Sequence, residues 1–286
     1  MIIDSHAHYS HFGFENVYKY IQYEDGKYSL MQSNRADMLL NFREFGIQLC
    51  IEPTARYSQI EHQLQVVEQY RPYLRLALGV HPKYCTDAAW EDRKRLRELV
   101  FSNELIAIGE TGLDYSNPPP LRKNYQKMWF FYQIRLADEL NLPLILHFRD
   151  AYQDGIALLT RHRQMLHGGV AHCYNENVQI ALQLIDLGFA IGIGGKLLSE
   201  TEEGFRLQET VKHIPLESIL IETDAPFVKP DYTIDNCSKS QRGKARNSSM
   251  VLPAVIDKIA ELQGKDRTLV EETIYRNTLR VFRIEQ

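Results

Sequence analysis

The sequence predicts an α/β fold of the (β/α)8 TIM-barrel type, with parallel strands and functional groups at the C-terminal mouth of the barrel. Three observations carry this. Eight short apolar runs rich in β-formers recur along the 286 residues, and charged amphipathic segments separate them. No GxGxxG follows a strand, which disfavours the rival open, doubly wound sheet. A chain of this length suffices for one such barrel. With no internal repeat, low-complexity tract or linker, residues 1–286 are expected to form a single domain.

The runs are MIID (1–4), IQLCIEP (47–53), RLALGV (75–80), LIAIGE (105–110), LPLILHF (142–148), GGVAHC (168–173), FAIGIG (189–194) and SILIET (218–223). Between the first two, Asp25-Gly26 stands among β-formers in VYKYIQYEDGKYSLM, the signature of a hairpin with a tight turn. The segment leaves strand one at the mouth, so its rings (Tyr9, Phe12, Phe14, Tyr18, Tyr20, Tyr23 and Tyr28) either stand over the site to stack on bases or pack on one another against the rim. Helices are expected over 91–101 and over 121–141, where Phe130, Ile134 and Ala137 recur at helical spacing and Pro143 closes the run. A polar loop, roughly 227–248, follows strand eight. The helix after it carries Leu252, Val255, Ile256 and Ile259 on one face and stops before Gly264. The last helix opens with Thr268-x-x-Glu271, which fits a capping box.

Composition excludes several classes. With 44% hydrophobic and 24% charged residues the chain is of ordinary globular type. A net charge of −4 gives no whole-molecule attraction to nucleic acid or an anionic membrane, although a local basic groove stays open. No apolar run approaches the ~20 residues of a membrane span, and the N-terminus lacks a signal pattern. A cytoplasmic monomer without membrane attachment is expected. Cys50, Cys85, Cys173 and Cys237 are widely spaced and suggest neither a disulfide framework nor a zinc ribbon.

In such barrels the chemistry lies at the C-terminal strand ends. Strand one ends in DSHAH, where His6 and His8 point to one face of a strand with Asp4 behind them. Two imidazoles crowded together suit a metal ion between them, but a bare H-x-H also fits two solvated histidines after a strand, and the rest of the chain decides. The other ends supply His81 in GVHP, Glu110 in GETGLDY, His147 in LHFRD, His172 in AHCYN and Asp224 in ETDAPF. His11, His62, His162, His167 and His213 fall in loops or polar helical stretches and are expected to be structural. Barrel closure brings strand eight beside strand one, so these groups converge, at a high desolvation cost unless cations neutralise them. His6, His8 and Asp224 would hold one divalent ion, His147 and His172 a second, and Glu110 would bridge the two. Nitrogen-rich ligands suit Zn²⁺ or Mn²⁺ better than Mg²⁺.

DSHAH, GVHP, IGETGLDY, LHFRDA, HCY and ETDAPF stand in the order of the TatD family of metal-dependent hydrolases, within the amidohydrolase superfamily. The chain resembles that family from its first strand to the NTLRVF helix. The resemblance implies a (β/α)8 barrel, a divalent-metal centre and phosphodiester hydrolysis as a DNase. It implies the same six ligands, keeps Mg²⁺ open, and puts His81 near the substrate phosphate. The sequence departs from the family at RGKARNSSM (242–250), where the usual form is RGKRNEP, and in the length of the segment after His8.

The expected chemistry follows. Two cations neutralise the phosphate oxygens and ready a water for attack, while Asp224 takes the nucleophile's proton. His81 donates to a phosphate oxygen or to the leaving group. Arg149 is a second anion contact or pairs with Asp150. Glu222 orients a ligand histidine. Lys239, Arg242, Lys244 and Arg246 contact phosphates or form a solvated loop. The expected activity is a nuclease acting on DNA ends or single strands. The alternatives are a deacylase or amidohydrolase on an ester or amide, such as an aminoacyl ester, and a metal-binding scaffold in a larger assembly.

Overall fold

The computed structural model describes residues 1–116, 120–230 and 243–285. Its strands are β1 (Ile2–Asp4), β2 (Tyr18–Glu24), β3 (Lys27–Ser33), β4 (Ile47–Pro53), β5 (Leu74–Leu78), β6 (Ala107–Asp114), β7 (Leu144–Arg149), β8 (Gly169–Ala171), β9 (Phe189–Ile193) and β10 (Ile219–Ile221). All except the hairpin β2–β3 form one sheet in the order β1-β4-β5-β6-β7-β8-β9-β10, with parallel pairing throughout. Ser5 N–H donates to Ile221 O (3.0 Å) and Asp224 N–H to His6 O (2.8 Å), which brings β10 round to β1. The eight expected barrel strands are all present.

The helices are α1 (Arg35–Leu40), α2 (Ile60–Gln69), α3 (Arg93–Ser102), α4 (Pro120–Leu140), α5 (Tyr152–Arg161), α6 (Val178–Asp186), α7 (Glu202–His213), α8 (Leu252–Gln263) and α9 (Arg267–Phe282). Strand alternation divides the apolar side chains into two layers. Ile3, Leu49, Ile51, Ala77, Ala107, Ile145, Val170, Ala190 and Leu220, drawn from every barrel strand, form one buried cluster inside the barrel. Phe282 of α9 joins it and closes the end opposite the mouth. Among the described residues no helix is long and apolar enough to cross a membrane. Cys50, Cys85 and Cys173 are free thiols, and Cys237 lies outside the described residues.

The expected hairpin forms, with Asp25 (φ 49°) and Gly26 (φ 77°) supplying the two left-handed residues of its tight turn. Most of the segment's rings pack inward, whereas Phe12 is exposed and stacks on His62. Tyr9 and Phe14 are buried and stacked with centroids 4.9 Å apart, Tyr18 and Tyr20 are buried, and the Tyr23 hydroxyl bonds to Asp257 (3.0 Å). The hairpin instead braces the segment that departs from the family pattern. Arg246 N–H donates to Lys19 O, Ile21 N–H donates to Arg246 O, and Ser248 Oγ donates to Ile21 O. Ile21, Ala245 and Val251 form a small core there.

The capping box expected at Thr268 is a misplacement. Asp266 is the N-cap, its Oδ1 accepting from the backbone of Thr268 (2.9 Å) and Leu269 (3.0 Å). A carboxylate one residue before the helix outcompetes a threonine inside its first turn. Asp266→Ala should therefore lower unfolding stability by about 0.5–2 kcal/mol. Thr268→Ala should change it by less than about 0.5 kcal/mol, as read from paired urea transitions.

Candidate metal centre

The strand ends gather the side chains the motifs singled out into three groups within ligand reach, His6 with His8 and Asp224, His6 with Glu110 and His172, and His81 with Glu110 and His147, so His172 groups with His6 and not with His147. His6 Nε2 and His8 Nε2 lie 3.3 Å apart, and Asp224 Oδ1 is 3.2 Å from His8 Nε2 and 3.8 Å from His6 Nε2. Glu110, only 2% exposed, faces both groups of histidines. Its Oε2 is 3.5 Å from His6 Nε2 and 3.8 Å from His8 Nε2. Its Oε1 is 2.8 Å from His147 Nδ1, 3.1 Å from His172 Nε2 and 3.2 Å from His81 Nε2. Tetrahedral coordination with bonds of about 2.0–2.1 Å sets neighbouring donors roughly 3.3 Å apart. The separations within His6, His8 and Asp224 fit that spacing, so the donor set suits a divalent cation.

The outer ring nitrogens decide which histidines present a lone pair inward. His8 Nδ1 donates to Pro53 O (3.1 Å), which leaves Nε2 free for a metal. His172 turns Nδ1 toward Glu222 Oε1 at 3.4 Å without a hydrogen bond between them, and points Nε2 at Glu110 Oε1 (3.1 Å). His147 gives Nε2–H to Asp114 Oδ2 (3.2 Å) and presents Nδ1. His81 is the reverse. Its Nδ1 accepts the Lys83 N–H (3.0 Å), so the proton of the neutral ring sits on Nε2. Although His81, Glu110 and His147 converge within ligand reach of one another, this tautomer makes His81 a donor.

Three buried carboxylates outside the expected site hold the frame. Asp114 fixes His147 and accepts from Ser116 Oγ (2.5 Å). Its signal was alternation, since residues 110, 112 and 114 share a face of β6. Asp4 accepts through Oδ1 from the backbone of His6 (3.2 Å) and Thr223 (3.1 Å). Through Oδ2 it accepts from the hydroxyls of Thr223 (2.6 Å) and Ser249 (2.7 Å). Glu52 accepts from Tyr9 N (2.6 Å) and Ser10 Oγ (2.6 Å), anchoring the chain after His8.

A cavity of about 430 Å³ opens over the centre, lined by His8, His81, His147 and Asp224 together with Arg56, Lys83, Tyr84, Arg149, Phe227 and His11. Arg149 lines it, and among the described residues makes no ion pair with Asp150 or any other carboxylate. His11, expected to be merely structural, lines the cavity because a short turn at Phe12–Phe14 folds back, with Gly13 N–H donating to its Nδ1. Lys244 is exposed, and Arg246 packs its guanidinium against Gly13 beside His11. Lys239 and Arg242 lie outside the described residues.

Charge at the centre is strongly coupled. Burial pushes His6 down to about 4, helped by the neighbouring His172. Burial also opposes charge on His8, but the Asp224 and Glu110 carboxylates outweigh it and lift the ring to about 9. Burial would raise Glu110, yet the surrounding imidazoles hold its carboxyl well below the usual range. Asp4 is raised to about 7 by burial, against the hydrogen bonds from Thr223, Ser249 and His6.

Two predictions follow from this geometry. His8 is raised from its ordinary 6.5 to about 9, so its contribution to metal-free stability is fully present below about 6.5 and lost as pH rises through about 9. A metal needs the neutral ring, so its affinity should climb by about tenfold per pH unit above about 6.5 and level off as pH nears about 9, with proton release measurable by calorimetry in buffers of different ionisation enthalpy. Asp114→Asn frees His147, and chelator competition should show metal affinity reduced about 10–100-fold.

A family model described as TatD related DNase matches residues 3–283. Among curated proteins, the uncharacterized metal-dependent hydrolase YabD of Bacillus subtilis is 34% identical over 226 residues, covering 79% of this chain and 83% of that protein. The 3'-5' ssDNA/RNA exonuclease TatD of Pectobacterium atrosepticum is 32% identical over 234 residues, covering 81% of this chain and 86% of its own. Among solved structures, the TatD homologue YjjV of Escherichia coli superposes with a TM-score of 0.78 at 23% identity, covering 99% of this chain and 98% of that one. A phosphotriesterase homology protein of Escherichia coli, with phosphate in its active site, superposes at 0.62 with 15% identity over 87% and 88% of the two chains. At these identities the two structures speak for the fold alone.

Proposed function

The chain belongs to the TatD-related DNase family of metal-dependent hydrolases, and from that premise we propose that it is a phosphodiesterase shortening single-stranded nucleic acid from an end. The observation that carries the proposal is Glu110, whose two oxygens face separate sets of histidines, the arrangement expected of a carboxylate shared by two cations. The name of the Pectobacterium exonuclease supports single strands as substrate. We take residues 1–286 to act as one domain, as a cytoplasmic monomer, consistent with a barrel that runs from Ile2 to Phe282.

In this proposal His6, His8 and Asp224 would hold one ion, His147 and His172 would hold a second, and Glu110 would serve both. Zn²⁺ and Mn²⁺ suit the imidazole-rich set better than Mg²⁺. Bound divalent ions would supply charge neutralisation at the phosphate and a water of lowered pKa. Asp224 keeps Oδ1 toward the histidines, and its second oxygen takes the proton of the attacking water. His81 presents Nε2–H to a phosphoryl or leaving-group oxygen, held in that tautomer by Lys83 N–H. Arg149 and Lys83, both on the cavity wall, face the remaining phosphate charge. Glu222 orients His172, and Asp114 orients His147.

The test is a parallel assay of metal-loaded protein on single-stranded DNA, duplex DNA and an aminoacyl ester. Single strands should be cleaved fastest, and hydrolysis of the ester alone would replace the proposal with a deacylase. Asp224→Asn should reduce turnover about 10²–10⁴-fold, the range for losing a general base. His81→Ala should lower turnover with metal content retained, and loss of an ion would make His81 a ligand.

A further inference from the structure

We propose that Arg56, whose guanidinium sits over the Tyr84 ring, is a platform for the nucleobase next to the scissile phosphate. This rests on the phosphodiesterase proposal above. The Arg56 guanidinium carbon is 3.9 Å from the centroid of the Tyr84 ring, and Arg56 Nη1 donates to Asp87 Oδ2 at 3.3 Å. The guanidinium is therefore held from two sides, by a ring and a carboxylate, before any ligand arrives. A planar cation held in this way loses little conformational freedom on binding, and its second face is a surface on which a base stacks.

Charge argues for a base here and against a phosphate. Asp87 neutralises Arg56, whereas Lys83 and Arg149, which line the same cavity, make no ion pair among the described residues. Those two cations are the better anion contacts, and Arg56 offers a plane.

Position ties the platform to the reacting centre. The Tyr84 ring lies 5.3 Å from the His81 ring, and His81 Nε2 is 3.2 Å from Glu110 Oε1. Arg56 and Tyr84 thus stand one ring beyond a residue that faces the phosphate, where the neighbouring nucleotide of a strand would lie. Phe227, 44% exposed and edge-on to His8 and His11, adds a further aromatic wall to the cavity. Stacking of this kind favours unpaired bases and tolerates any base identity.

The experiment compares kcat/KM for an intact oligonucleotide with that for strands carrying a tetrahydrofuran abasic residue at either nucleotide flanking the cleaved bond. The metal-loaded wild type should prefer the intact strand over one of the abasic strands by at least about fivefold, the low end for one stacked base. In Arg56→Ala and Tyr84→Leu that ratio should fall toward one. Arg56→Lys keeps the charge and loses the plane, so it should collapse the ratio as well, and being a surface substitution it should not disturb folding. A wild-type ratio near one, or a wild-type ratio retained by Arg56→Lys, overturns the platform while leaving the phosphodiesterase proposal standing. If no intact strand is cleaved, the phosphodiesterase proposal falls and the platform falls with it.

Discussion

Glu110 is a carboxylate almost wholly removed from water, with imidazoles of His6, His8, His81, His147 and His172 within 4 Å of its two oxygens. An unpaired charge in such a place costs several kcal/mol. The imidazoles lower that cost, and divalent cations would remove most of it. These five histidines are arranged around this one side chain, and the barrel serves to hold them there. Gly112 shows how tightly. It pairs with His147 across β6 and β7 at a φ of 136°, and a Cβ there would meet the His147 carbonyl oxygen. Only glycine lets β6 pass so close to the strand that carries His147.

Around the centre runs a ring of braces. Asp4 links strand one to the turn at Thr223 and to Ser249. Asn247 Nδ2 donates to Thr223 O (2.7 Å), so the segment that departs from the family pattern still supports the Asp224 turn. The hairpin in turn holds that segment through Lys19, Ile21 and Ser248. The two departures in sequence are thus one structural unit, in which an added hairpin braces an altered loop.

The eight strands and six proposed ligands were legible because strand periodicity and barrel closure are set by local pattern. His6, His8, Glu110, His147, His172 and Asp224 need no tertiary detail beyond parallel strands in order. What the pattern could not convey depends on contacts distant in sequence. Two readings of the aromatic segment were open until Tyr9 met Ser249 and Tyr23 met Asp257. His11 reaches the cavity only through the turn at Gly13. The tautomer of His81 depends on how the chain turns at Pro82 to aim Lys83 N–H back at the ring. Arg56 meets Tyr84 and Asp87 only because they lie on a neighbouring strand-end loop distant in sequence.

In the proposed arrangement one carboxylate divides the mouth into two cation sites, and His81 ligates neither. Anomalous diffraction from crystals grown with Mn²⁺ measures this directly. Two peaks should flank Glu110, roughly 3.5–4 Å apart, one against His6, His8 and Asp224 and the other against His147 and His172. A single peak away from Glu110, or a peak coordinated by His81 Nε2, would contradict the account.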